Sequence, residues 1–248
     1  MADSLDFVPK RIYLAIRHPQ WTAETFPPRW RKHGALAMSL PRWRNILRYS
    51  HCDRVPCDNP AVGASDECDG VGLIWYRSEA LRRVHVGDAT GNIMVEDEKL
   101  VFSRFINESD LFTVEHVLRD GPIAGVKVVR CLKRAPGLSR AAFVERWSRH
   151  GALLLSADGM GTAVRRYVQN RTFPAPDGKP WTQDYDGVEE IWFDSLAALE
   201  AAHEAAGGRL AEDRAGFAGD SLTLLTDELR LYDLENPDLV VDTEATPP

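Results

Sequence analysis

The chain has 248 residues, 44% of them hydrophobic and 27% charged, with a formal net charge of −7. That composition suits a globular protein with a full apolar core. The acidic balance and the lack of a basic stripe exclude nucleic acid as an expected partner, and no apolar run approaches the roughly 20 residues of a membrane span.

The N-terminal MADSLDFVPKR is polar and acidic, unlike a secretory leader, so a reducing cytoplasm is expected. The β-rich run IYLAI, closed by His18 and Pro19, predicts a first strand. A helix is predicted from about Thr25 to Met38. Pro27 and Pro28 fit only its first turn, where amide protons lack helical acceptors. Phe26, Trp30, His33 and Ala37 recur at helical spacing and share one face. NILRYSH predicts a second strand ending near Tyr49, followed by a polar loop, Cys52–Asp69, that closes in Asp69-Gly70. VGLIWYRS predicts a third strand, EALRRVHVGDATGN a weak helix, and LFTVEHVL the last strand of this half.

After a short linker near Arg119–Gly125 the series repeats. Arg17, Pro19, Phe26, Arg29, Trp30, His33, Gly34, Ala35 and Leu36 return, 117 residues on, as Arg134, Pro136, Phe143, Arg146, Trp147, His150, Gly151, Ala152 and Leu153. Ser139 is the expected N-cap of the second helix, whose inward face is Phe143, Trp147, His150 and Leu154. AVRRYVQN is a strand ending near Tyr167. Arg171–Asp186 is a polar loop ending in Asp186-Gly187. VEEIWFDS, LAALEAAHEAA and SLTLLTDEL give strand, helix and strand, and align Trp192 with Trp75. The Pro-rich, acidic end is expected to be a flexible tail over 236–248.

Each copy therefore reads βαββαβ, the ferredoxin-like order. The expected fold class is α+β. Its domains are repeat 1 over 1–121 and repeat 2 over 122–235, whose sheets bury their bare faces against each other.

His33 and His150 lead the candidate catalytic residues, because a neutral imidazole exchanges protons near pH 7. For either, the alternative is a structural histidine bonded to backbone. Tyr49 and Tyr167 are phenols that could bind a substrate hydroxyl or relay a proton, or core tyrosines with their hydroxyls at the rim. Arg17 and Arg134 offer forks for a carboxylate, or structural ion pairs. A helix cap or an arginine partner accounts for Asp97 and Asp213. Trp30, Trp75, Trp147 and Trp192 are flat walls for an aromatic ligand, or core packing. Copy one also carries His18, His51, His85 and His116. The residues aligned with His18 and His51 are Ala135 and Gln169, so the first pocket is expected to be the active one.

His51 with Cys52, Cys57 and Cys68 has the residue types of a zinc site but irregular spacing and no C-x-x-C, so no metal is expected; Cys131 reads as strand packing. No P-loop, dinucleotide fingerprint or Ser-His-Asp order appears in its required context, and no cofactor is expected.

The pattern R-x-P-x-x-(S/T)-x-x-x-F-x-x-x-W-x-x-H-G, then R-Y, then D-G-x-x-x-x-W, resembles the EthD-like family of the dimeric α/β-barrel superfamily over both halves. Its most specific part is Trp30–Gly34 and Trp147–Gly151. The resemblance implies a tandem fused form, a single-chain dimeric α/β barrel with a pocket in each half. Relatives of this kind are small, mostly cofactor-free enzymes acting on aromatic, polyketide or lactone-type compounds; some members of the wider superfamily bind haem, and others are accessory proteins. With the aromatic lining, this leads to a cofactor-independent lyase that decarboxylates a hydroxylated aromatic or phenylpropanoid acid in aromatic catabolism. His33, Tyr49 and His150 are its candidate catalytic groups. Arg17, His18, Trp30, His51, Trp75, His116, Trp147 and Tyr167 are its candidate substrate contacts. The alternatives are a cofactor-free monooxygenase, a dehydratase/cyclase of polyketide-like phenols, or a non-enzymatic aromatic- or haem-binding protein. The expected partner is a small phenolic acid, with a homodimer of the fused chain a further possibility.

Overall fold

A computed structural model describes residues 7–59, 62, 64–173 and 185–241. The first half runs β1 (Pro9–Ala15), α1 (Phe26–Ser39), β2 (Ile46–Arg54), β3 (Gly70–Tyr76), α2 (Glu79–Val86), α3 (Gly91–Val101) and β4 (Asp110–Arg119). The second runs β5 (Val126–Arg134), α4 (Arg140–Ser156), α5 (Met160–Ala163), β6 (Val164–Thr172), β7 (Gly187–Phe193), α6 (Leu196–Ala206), α7 (Arg209–Ala215) and β8 (Ala218–Asp233). The hydrogen-bonded strand order is β1-β3-β2-β8-β5-β7-β6-β4, a closed antiparallel series of eight strands. No helix among the described residues is long and apolar enough to cross a membrane.

The chain forms two compact units. One comprises 1–53, 67–114 and 229–248; the other comprises 54–66 and 115–228. In the first, β1 lies between β3 and the start of β4, and β2 flanks β3. In the second, β5 lies between β7 and β8, and β6 flanks β7.

Local chemistry explains why both halves repeat the same residues. Pro27 and Pro28 occupy the first turn of α1, and Ser139 caps α4 by accepting from the Ala142 amide. Asp69 accepts from the Arg17 amide at 2.9 Å, and Asp186 does the same for Arg134 at 2.9 Å. These bonds tie the end of the first strand to the start of the third. The glycine after each Asp is required by packing, because a Cβ on Gly70 would run into the Trp30 ring and one on Gly187 into Trp147. The recurring Arg, Asp-Gly and Trp thus form one structural joint, used twice.

Three expectations change. First, β2 and β6 run on to Arg54 and Thr172, so Tyr49 and Tyr167 lie within strands rather than at their ends. Cys52, expected to open the loop, is a fully buried strand residue, as is His51 beside it. Strands buried on both faces conceal polar side chains that read as loop in the sequence. Second, the single helix expected before each last strand is a pair, α2 with α3 and α6 with α7. Third, the segment after β2 is not a plain polar loop. Val55, Cys57, Val62 and Ala64 pack into the core of the second unit with Leu199 and Leu225. Of the expected tail, Pro237–Leu239 forms a 3-10 turn, and 242–248 lie outside the described residues, as do 1–6 and most of the Arg171–Asp186 loop.

Candidate active site

The first unit holds a chamber against the helix face that carries His33. Its lining includes Tyr13 from β1, His33 from α1, Tyr49 from β2, Trp43, His85 and Glu98. The chamber measures about 50 Å³ and adjoins a cleft of about 580 Å³, with Arg11, Arg42, His85, Met94, Glu98 and Ile106 lining both. Small-molecule sites occupy roughly 300–1,000 Å³. The cleft is therefore large enough for a ligand body, and the chamber for one functional group of it.

His33 is 3% exposed, and its Nδ1 lies 2.7 Å from Asp97 Oδ2. Asp97 also accepts from Arg29 at 2.6 Å. The His33 hydrogen bond, with Arg29 behind it, holds the Asp97 carboxyl down to about 2. An ionised carboxylate only accepts, so His33 donates from Nδ1 and carries its lone pair on Nε2.

A second chain of bonds starts at Arg31, which pairs with Asp53 and reaches His51 Nδ1 at 2.5 Å. A guanidinium only donates, so Nδ1 accepts and the proton sits on Nε2, which bonds the Tyr49 hydroxyl. Burial, with the Arg31 charge, pushes the His51 imidazole well below its ordinary range and keeps the ring neutral. Trp30 stacks on it at 3.8 Å between ring centroids. Burial pushes the Tyr49 phenol well above its ordinary range and that of Tyr13 up to about 12. Both are proton donors at neutral pH.

The rim of the cleft is charged. Arg11 pairs with Asp110 at 2.6 Å. Arg42 lines both spaces, and no carboxylate pairs with it among the described residues; burial lowers its pKa. Glu98 is raised by burial. His85 donates from Nδ1 to the Arg42 carbonyl at 3.1 Å, and burial lowers its pKa to about 4.

The second unit repeats the histidine with its aspartate, and its chamber also holds His203. His150 Nδ1 lies 2.7 Å from Asp213, and its Nε2 is buried with no hydrogen-bond partner among the described residues. Its chamber measures about 30 Å³ and is lined by Arg130, His203 and Arg214 among apolar residues, with Val128, Leu154 and Met160 where the first has Arg11, Ala37 and Trp43.

The predicted site residues divide accordingly. His33 and Tyr49 meet in one chamber. Trp30 and His51 stand directly behind it. Arg17 does not reach it, since its guanidinium pairs with Asp69 at the structural joint. His18 accepts from the Gln20 amide near the surface, and His116 is exposed on β4. Trp75 is no wall of the chamber. It follows Ile74, which lines the chamber, so strand alternation turns it to the opposite face, where Lys10 lies 4.4 Å from its ring. Trp147 and Tyr167 are fully buried and both donate to Glu189 at 2.6 Å. Sequence reading missed Tyr13, Arg42, Glu98 and the histidine-binding role of Asp97. The last had a signal, because Asp97 and Asp213 occupy like places in the two halves.

None of Cys52, Cys57, Cys68 and Cys131 forms a disulfide, and no described group of three or more His, Cys, Asp or Glu is placed to hold a metal.

Residues 135–221 match the EthD domain. No curated protein matches the chain. Solved structures share its fold. A candidate monooxygenase of Fusobacterium nucleatum subsp. nucleatum is 5% identical with a TM-score of 0.57, covering 90% of this chain and 93% of its own. An anthrone oxidase-like protein is 13% identical with a TM-score of 0.53, covering 91% and 93%. A candidate chlorite dismutase is 11% identical with a TM-score of 0.53, covering 91% and 96%. The chain thus carries an EthD domain over residues 135–221 and shares the fold of these solved structures.

Proposed function

We propose that the first unit is a cofactor-independent acid–base catalyst that decarboxylates a small hydroxylated aromatic or phenylpropanoid acid. The observation that carries this reading is His33: its Nδ1 is fixed by Asp97, and its ring lines a chamber shared with protonated phenols and open to the Arg42 cleft. The substrate carboxylate lies on Arg42, and its phenolic hydroxyl enters the chamber. His33 takes the phenolic proton at Nε2; Tyr49, held protonated, does not. The electron pair moves through the ring to the side-chain carbon bearing the carboxylate, which takes a proton from Glu98. The resulting quinone methide accepts the electrons of the breaking carbon–carboxylate bond as carbon dioxide leaves. His33 returns its proton to the product phenolate, and solvent reprotonates Glu98. General acid–base groups of this kind contribute about 10²–10⁴-fold each.

A monooxygenase reading uses the same base, since a phenolate made by His33 is also electron-rich enough for oxygen. The monooxygenase and anthrone oxidase descriptions among the structural relatives give it weight. The full chain, incubated with hydroxylated phenylpropanoid acids, separates the readings. Carbon dioxide release without oxygen uptake supports the lyase, and oxygen uptake supports the monooxygenase. Tight binding with neither supports an accessory protein.

The same proposal takes the chain as tandem ferredoxin-like repeats over 1–121 and 122–235, because β4-β1-β3-β2 and β8-β5-β7-β6 run in equivalent order. It places the protein in the cytoplasm, where cysteines without disulfides are at home.

A further inference from the structure

We propose that the hydroxyls of Tyr13 and Tyr49 form a two-donor oxyanion site in the first unit, and that the second unit fills the equivalent place with its own Glu189 carboxylate.

The argument starts from a pair of facing residues. Tyr13 on β1 is opposite Gly72 on β3; 117 residues on, Arg130 on β5 is opposite Glu189 on β7. In the second unit Glu189 is fully buried. Its Oε1 accepts from Trp147 Nε1 and from the Tyr167 hydroxyl, both at 2.6 Å, and its Oε2 accepts from Arg130 at 2.9 Å. The donors that recur in both halves, the helix tryptophan and the strand tyrosine, are there saturated by an internal anion.

In the first unit the same donors are Trp30 and Tyr49, but Gly72 brings no carboxylate. The Tyr13 ring takes that space so closely that a Cβ on Gly72 would overlap it. Tyr13 Oη accepts from Trp30 Nε1 at 3.2 Å. Tyr49 Oη accepts from His51 Nε2, whose proton is fixed by Arg31 on the far nitrogen. Both phenol oxygens therefore receive an N–H, and both O–H protons remain to be given. Only one bond joins the two hydroxyls, and it is long, 3.4 Å. One buried O–H is left without an acceptor among the described residues. Both tyrosines line the chamber. A buried donor with no acceptor is costly, and an anion in the chamber satisfies it. Burial holds both phenols in the donating form. The ligand class is an oxyanion on a small group, such as a phenolate.

The inference rests on siting the proposed function in the first unit, but not on decarboxylation. The test titrates 4-nitrophenolate into the full chain, at a pH where the probe is ionised, and follows its visible absorption. Wild type is expected to bind one equivalent. Tyr13→Phe and Tyr49→Phe each weaken binding roughly tenfold or more, the loss of one hydrogen bond to a charged group. The double variant Tyr13→Arg, Gly72→Glu installs the second unit's pair and is expected to abolish binding while melting cooperatively. No spectral shift in wild type, two bound equivalents, or unchanged affinity in Tyr13→Phe overturns the proposal. Should the double variant fail to fold, the Tyr13→Phe result decides. Turnover without nitrophenolate binding defeats the donor pair alone. Binding without turnover of any phenolic acid defeats the decarboxylase alone.

Discussion

His33 gives its Nδ1 proton to Asp97 at 2.7 Å, and His150 gives its own to Asp213 at the same 2.7 Å. The dyad is common to both halves, so it cannot be what sets them apart. The difference lies in what surrounds the other face of each ring. Around His33 there are two phenols, a carboxyl and Arg42, which has no carboxylate partner among the described residues; lining the chamber at His150 there are no phenols or carboxyls among the described residues, and Arg130, His203 and Arg214 sit among apolar side chains.

Asp97→Asn is expected to lower kcat by about 100-fold, since a neutral amide no longer holds the His33 tautomer that leaves Nε2 basic. Asp213→Asn leaves turnover near wild type. The same substitution reads out in acid stability. Asp97 is depressed from 3.8 to about 2 in the folded chain, so its stabilisation is present above 3.8 and is lost as pH falls toward 2. Thermal melts over that window should fall less steeply for Asp97→Asn than for wild type.

Two arginines separate the carboxylate anchor from the structural joint. Arg42→Ala is expected to raise KM about tenfold or more with little change in melting temperature, because it removes a charge-assisted contact to the substrate and no ion pair among the described residues. Arg17→Ala leaves KM in place and lowers stability, because it removes the partner of Asp69. A KM effect at Arg17 with none at Arg42 would refute this assignment.

The sequence made the repeated frame legible because the frame is built from local rules. Helical spacing put His33 on the inward face, the prolines marked the first turn of α1, and the 117-residue offset paired the two halves. The site was legible only where it coincided with that frame. Tyr13 was hidden in an apolar strand run, and its meaning depends on Gly72, which is 59 residues away in sequence and directly opposite in the sheet. Arg42 sits in a short 3-10 turn with no periodicity to place it, and Arg17, the more obvious cation, is consumed by Asp69. The end of β2, from Cys52 to Arg54, read as loop because its residues show no alternation.

Histidine titration gives a pH prediction of definite sign. His85 is lowered from 6.5 to about 4, and His51 is lowered as well. Between these values the unfolded chain binds protons that the folded chain refuses, so stability rises with pH through the window and falls as pH drops from 6.5 toward 4. His85→Gln keeps a polar group in the cleft and should flatten part of that slope in melts taken from pH 6.5 to 4. An unchanged slope would show that His85 is protonated in the folded state over this range.

Gly72→Ala tests the packing on which the chamber depends. The added Cβ meets the ring of Tyr13 across the β1–β3 pair, and neither strand has room to move because both are buried along most of their length. Overpacking of this kind costs roughly 1–3 kcal/mol. Tyr13→Ala alone removes a large buried side chain and costs roughly 3–5 kcal/mol. The two effects share one space, so they should not add. Once the Tyr13 ring is gone, the Gly72→Ala methyl has somewhere to go and recovers a little packing. The double variant is therefore expected to be no less stable than Tyr13→Ala alone, with a favourable coupling of roughly 1–3 kcal/mol in a urea-denaturation cycle. Simple additivity in that cycle would mean that β1 and β3 part enough to absorb the methyl, and that the close fit of Tyr13 over Gly72 is not what shapes the chamber.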